Sequence, residues 1–368
     1  MHILQYCARG KETTARMHIA KATAVCFKRI AAFRGDSHAM KNERSEPPMQ
    51  SDALEADTGA TQDDIVTSQV VSSGGGDDPT AQARFFTAGE AFNIKLPRVP
   101  RHQFLDECRK AFDPATATGL IPLDLSSELG LSYPATIPMV LTRYIRIRAG
   151  EQLSTHFNAT GEIYYVFQGS GESRRETETI RWAAGDVFLF PGGADTIHAA
   201  DDEDCVLWLV TNEPCLAFEK SNAPDPANGV VKPTHYPAAR VRAELERVHG
   251  LPDADKMAGF AVVFSSVAME KGRNILPSLS FALNSLPPHR AQRGHRHNAT
   301  AITLCLQGEH CYSLIDGHRV DWVDNAVMVT PPGEDHSHHN DGDKRMLSLV
   351  IQDGGLHYYM RTMGFAYT

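Results

Sequence analysis

Two stretches of the chain, about one domain length apart, carry the same sparse pattern of His, Gly, Pro and Asn. The first runs Gly150-EQLST-His156-F-Asn158-ATG-Glu162-IYYVFQ-Gly169, then Gly185-DVFLF-Pro191-G-Gly193, then His198. The second runs His295-R-His297-NATAITLCLQ-Gly308, then Asn325-AVMVT-Pro331-P-Gly333-ED-His336-SHH-Asn340. An internal repeat constrains the fold strongly, because whatever unit one copy builds must occur twice. Around both copies the chain is cut into short apolar segments, at 140–148, 163–168, 187–190, 205–210, 261–265, 301–307, 312–315, 327–330 and 346–351. Closely spaced segments of this kind, punctuated by Gly, Pro and Asp, predict the strands of a β-sandwich or barrel. Two segments, 103–111 and 238–248, read as helices. The second has Val241, Leu245 and Val248 at helical spacing and falls between the repeats as a connector.

Composition narrows the class. The chain has 368 residues and a formal charge of −9. That balance argues against a general nucleic-acid binder, which carries a basic face. The longest apolar runs, 260–264 and 346–351, fall far short of the roughly 20 residues a membrane helix needs. Seven cysteines, an odd number with no C-x-x-C, suggest neither a disulfide framework nor a zinc ribbon. They fit a reducing, cytoplasmic setting. Cys305 and Cys311 read as small buried side chains. Residues 1–44 are net basic and admit three readings: a targeting peptide, a nucleic-acid-binding tail, or, the preferred one, a tail without function or sequence upstream of a start at Met40 or Met49. Residues 45–82 are polar, acidic and rich in Gly and Ser, a composition that predicts disorder. The expected organisation is therefore an extension over 1–82, a first barrel over 83–230 and a second over 231–368.

The histidines carry the chemistry. Side chains on a strand alternate faces, so His295 and His297 share one side. Residue 301 has the same parity and is Ala, so no carboxylate joins them. His336 supplies a third imidazole from a later strand. His338 shares its parity and is the rival, whereas His339 faces the other way. Three neutral imidazoles leave a divalent metal its full charge and open positions, and imidazole suits Fe, Zn, Cu and Ni alike. In the first copy, His156, Glu162 and His198 form a second candidate set, with Asn158 as a weak oxygen ligand. Its last histidine comes two residues later than in the second copy. Arg290 and Arg293 precede His295, and arginine matches a carboxylate in bidentate fashion. Gln307 and Tyr312 are candidates to line a pocket.

These paired patterns resemble the two signature motifs of the cupin superfamily. In the first copy Asn158 stands where the second histidine belongs. In the second copy His289 and Asn325 replace the opening glycines, and Ala301 stands in the glutamate slot. The resemblance covers roughly 83–368 and implies an all-β bicupin, two jelly-roll barrels in tandem with a few short helices. A three-His site without the glutamate is similar to the gentisate 1,2-dioxygenase group, which includes salicylate and hydroxynaphthoate dioxygenases. That implies Fe(II), with Zn, Mn, Ni or Cu as alternatives, and a ring-cleaving reaction on a hydroxylated aromatic acid with O2. It also implies a homo-oligomer with one active and one degenerate barrel. The competing readings are a metal-dependent isomerase, lyase or hydrolase, and a non-catalytic binding protein. No nucleic-acid or membrane partner is expected.

Overall fold

A computed structural model describes residues 79–252 and 259–368. The basic stretch and nearly all of the acidic one lie outside the described residues; of the latter only a short turn, Pro79–Gln82, is seen.

Four antiparallel sheets dominate. In the first half, the large sheet has the order Thr234–Tyr236, Val187–Pro191, Gly161–Gln168, Cys205–Thr211, Leu141–Ile147, Gly119–Leu123. Facing it is a smaller sheet of Gln152–Thr155, Thr196–Ala200, Ser170–Arg175 and Glu178–Ala183. The second half repeats the arrangement. Its large sheet runs His102–Phe104, Val327–Thr330, Ala301–Gln307, Met346–Gln352, Ser280–Leu286, Phe260–Val263. Its smaller sheet runs His318–Asp321, Cys311–Ile315, His336–Asn340, His295–His297, Phe365–Tyr367, with Arg290–Ala291 also on His336–Asn340. Each half is thus a two-sheet barrel, as the repeat predicts. Of the two expected helices, the connector is Ala238–His249 and the other is Leu105–Phe112, a strand having taken its first residues.

The turn glycines explain why the second copy tolerates substitutions in its motif. Gly150 and Gly185 adopt φ of 70° and 90°. His289 and Asn325, in the equivalent places, adopt 54° and 66°. Asn and His visit the left-handed region more readily than most residues.

Each barrel borrows a strand from the segment preceding the other. His102–Phe104 pairs with Val327–Thr330 of the second barrel, and Thr234–Tyr236 pairs with Val187–Pro191 of the first. The large sheets pack through a shared core. Ile121, Tyr144, Ile163, Leu189, Trp208 and Val210 from one meet Phe281, Leu283, Ile302, Leu304, Val329 and Ile351 from the other. The Trp208 and Phe281 rings lie 6.3 Å apart, and the Tyr144 hydroxyl donates to the Asn325 carbonyl at 2.6 Å. Each buried side chain of this size stabilises by about 1.5–3 kcal/mol.

The two barrel interiors differ. The first is filled with Phe157, Tyr164, Trp182, Phe188, Phe190, Leu207 and Leu209. Tyr164 stacks on Phe188 at 4.6 Å. The corresponding wall of the second presents Thr303, Thr330, Ser348, Ala301 and Gln352 beside a small apolar cluster of Leu286, Cys305, Cys311, Trp322, Met328 and Met346. All five described cysteines are free.

Candidate metal centre

His295 and His297 project inward from the short strand His295–His297, where the outward Arg296 is exposed between two buried neighbours. His336 opens the adjacent strand and lies directly opposite His295. One ring nitrogen from each of the three lies within 4.8 Å of the others, and all three residues are buried. Their rings are 4.3, 4.8 and 5.9 Å apart. No other group of this kind occurs among the described residues.

The backbone sets the tautomer of each ring. Nδ1 of His295 donates to the Arg293 carbonyl at 3.0 Å, Nδ1 of His297 to the Ala299 carbonyl at 2.7 Å, and Nδ1 of His336 to the Glu334 carbonyl at 3.0 Å. A proton held on Nδ1 leaves the Nε2 lone pair as the ligating site. Burial lowers the His297 pKa and pushes that of His336 down to about 4, so both rings are neutral at neutral pH. The donor set therefore suits a borderline divalent metal. Phe365, on the chain's last strand, stacks on His295 at 5.4 Å.

His338 takes a different part. Its Nδ1 bonds Ser313 Oγ at 2.8 Å, and Trp322 Nε1–H donates to the same oxygen at 2.8 Å. The first barrel contains the same triplet: His198 Nδ1 bonds Ser173 Oγ at 2.7 Å, and Trp182 Nε1–H donates to it at 2.8 Å. His198 is thus the counterpart of His338, not of His336. Thr196 occupies the His336 position, and it pairs with Thr155 as His336 pairs with His295. Gly193 N–H donates to the Phe157 carbonyl as Gly333 N–H donates to that of His297. The three ligand positions of the first barrel are therefore held by Thr155, Phe157 and Thr196.

This corrects the second candidate set. His156, Glu162 and His198 are not brought together. His156 stands one residue off the inward register, and a single step on a strand turns a side chain to the opposite face. Its ring is 58 % exposed and pairs with Asp195 at 2.9 Å. Asn158 holds a loop, donating to the Ser221 carbonyl and accepting from the Ala223 N–H. Glu162 does point inward, but Arg175 Nη2 binds it at 2.7 Å and the Tyr164 hydroxyl at 2.6 Å. Arg175 Nε also donates to Thr196 Oγ1 at 2.9 Å. A guanidinium thus joins the glutamate slot to the third ligand slot. Burial pushes the Glu162 carboxyl up to about 7, against the opposing pull of Arg175 and Tyr164.

The substrate candidates also disperse. Arg290 and Arg293 are exposed, and the Arg293 guanidinium lies over the Tyr367 ring at 4.5 Å. Gln307, at the far end of its strand from Ala301, donates to the Arg345 carbonyl at 2.8 Å. Tyr312 alternates with the buried Cys311 and Ser313, stacks on His339 at 4.6 Å and lies under Arg319. Two inward residues absent from the sequence reading, Thr330 and Gln352, flank Ala301 as its cross-strand neighbours, and Gln352 Nε2 lies 3.3 Å from His297 Nε2. Only the strand register reveals them.

Comparison with known proteins bears on the fold. Residues 282–352, which contain all three histidines, match the cupin domain family. The structure of salicylate 1,2-dioxygenase from Pseudaminobacter salicylatoxidans superposes with a TM-score of 0.61 at 14% identity, covering 74% of this chain and 89% of that one. The chain has a bicupin fold. In sequence the bicupin is 29% identical over 115 residues to a 5-aminosalicylate 1,2-dioxygenase of Comamonas sp, covering 30% of this chain and 31% of that protein. It is 29% identical over 83 residues to a gentisate 1,2-dioxygenase of Ralstonia sp, covering 23% of each. The matched stretches thus span less than a third of these two relatives. No helix among the described residues of the bicupin is long and apolar enough to cross a membrane.

Proposed function

We propose that this bicupin is an Fe(II)-dependent dioxygenase that cleaves the ring of a hydroxylated aromatic acid of the gentisate or salicylate type, with His295, His297 and His336 as the metal ligands. The observation that carries this reading is the donor set: three inward imidazoles with Ala301 in place of a carboxylate. Iron held in this way supplies Lewis acidity and positions for an anionic substrate and O2. The chain's own residues orient and protect. The three Nδ1–H···O=C bonds fix the ring planes and keep the proton off Nε2. Burial keeps His297 and His336 neutral, so the metal's charge is left for the substrate anion. Small inward side chains line the wall beside the site, and Phe365 covers the His295 ring on one side.

In this proposal the second barrel, within 231–368, is catalytic. The first, within 83–230, is a structural partner whose ligand positions have been refilled. The activities named for the sequence relatives point to the same reaction class. A cytoplasmic homo-oligomer belongs to the same proposal.

The test is oxygen uptake by protein reconstituted anaerobically with Fe(II), screened with gentisate, salicylate, 5-aminosalicylate and 1-hydroxy-2-naphthoate. Uptake with at least one acid is expected, with about one iron per chain. Both are lost in His297→Ala and kept in His156→Ala. Turnover of another substrate with Zn or Mn in the absence of O2 would place the protein among Lewis-acid cupins instead. Failure to retain any metal would leave a binding module.

A further inference from the structure

Ala301 is flanked by polar side chains. Ala301 pairs with Thr330 on one side and Gln352 on the other. Directly paired residues of a sheet point the same way. Their sequence neighbours Ile302, Val329 and Ile351 are buried in the core between the barrels, so Ala301, Thr330 and Gln352 face the barrel interior. Gln352 Nε2 lies 3.3 Å from His297 Nε2. Because His297 holds its proton on Nδ1, this is an amide N–H donating into the lone pair that would ligate a metal. A metal held by His297 would take this lone pair and leave the Gln352 amide to donate elsewhere. Thr330 Oγ1 is buried, with the residue 1% exposed, and has no hydrogen-bond partner among the described residues. A buried hydroxyl left unpaired is costly, and a polar ligand within reach removes the cost.

The first barrel shows what this position accommodates. Glu162 stands in the Ala301 position, between Phe190 and Thr211, the counterparts of Thr330 and Gln352. Its carboxylate is balanced by Arg175, which extends from the residue equivalent to Ile315. The second barrel has neither member of that charge pair, Ala standing in place of Glu and Ile in place of Arg. It has three inward imidazoles instead, with Thr330 and Gln352 beside Ala301.

We propose that Thr330 and Gln352 grip the substrate's carboxylate beside Ala301 and the metal, so that a carboxylate of the ligand takes the place of one from the protein. The grip builds on the metal-dependent reading of the site above. Both residues are positioning groups that act on a metal-bound anion through charge-assisted hydrogen bonds without adding charge. Ligands that bind the metal through hydroxyls alone do not use them.

Co(II)-loaded protein, titrated with salicylate, oxalate and catechol and followed by its visible absorption, tests the grip without turnover. Thr330→Val and Gln352→Met are each expected to weaken salicylate and oxalate by about tenfold. Co(II) content and catechol affinity stay unchanged, and Thr330→Ser restores carboxylate binding. Ala301→Glu is expected to retain Co(II) and lose both carboxylates. Equal weakening of catechol, loss of Co(II) in Gln352→Met, or unchanged carboxylate affinity in both variants would overturn the grip. Absence of carboxylate binding by the loaded parent would overturn it as well. Variant-sensitive oxalate binding without salicylate binding would keep the grip and sink the aromatic-acid reading.

Discussion

Each of the three inward imidazoles is aimed by a carbonyl two residues away in its own chain, so its tautomer is a local property of the strand ends. The first barrel solves the same position with a salt bridge. Arg175→Met would leave the Glu162 carboxyl buried without its guanidinium, at a cost of about 3 kcal/mol in urea denaturation. Arg175→Met combined with Glu162→Gln is expected to recover most of that loss. The His198 imidazole is fully buried, and burial followed by the Arg175 charge pushes its pKa down from 6.5 to about 3. The unfolded chain therefore binds a proton below about pH 6.5 that the folded chain refuses. Stability from this group is complete above that pH and falls as pH drops toward 3, by at most about 1.4 kcal/mol per unit. His198→Asn should show a shallower acid limb than the parent when unfolding midpoints are compared from pH 7 to 4. At this scale the second barrel was the more legible in sequence: parity put His295 and His297 on one face, and both do point inward with His336 beside them. The first was less so. Both Thr155 and His156 precede a shared Asn-Ala-Thr, and parity alone does not say which of them faces inward.

At the scale of elements, the reciprocal loan of strands matters most. Phe104 ends the strand His102–Phe104 and is 1% exposed within the shared core, although its strand belongs to the segment before the first barrel. Phe104→Ala is expected to cost about 3–5 kcal/mol, seen as a lowered urea midpoint at unchanged slope. Because this strand also covers the free edge of Val327–Thr330, the same variant should raise hydrogen exchange along that strand. The helix Leu105–Phe112 was visible as a pattern of apolar and charged residues, whereas the strand before it was not. Three residues carry too little periodicity, and their pairing partner lies more than 200 residues away. The helix Ala238–His249 was legible because twelve residues repeat an apolar face long enough to read.

For the whole molecule, the two large sheets share one core, so the barrels are expected to unfold together. Residues 86–368 cluster together, and the largest core draws on both barrels. One calorimetric transition is expected, with van't Hoff and calorimetric enthalpies in agreement. Two resolved transitions would show that the shared core does not couple the halves. The amino-acid sequence by itself determined the repeat, the strand-rich class and the shared face of His295 and His297. Those features rest on local sterics and on the two-residue period of a strand. Only the tertiary structure decided that His336 joins the pair while His338 bonds Ser313. It also decided that Thr155, Phe157 and Thr196 fill the ligand positions of the first barrel, and that Thr330 and Gln352 border Ala301. These outcomes depend on register between strands distant in the chain, and a register is fixed by pairing and packing across the sheet, not by the order of residues along one strand.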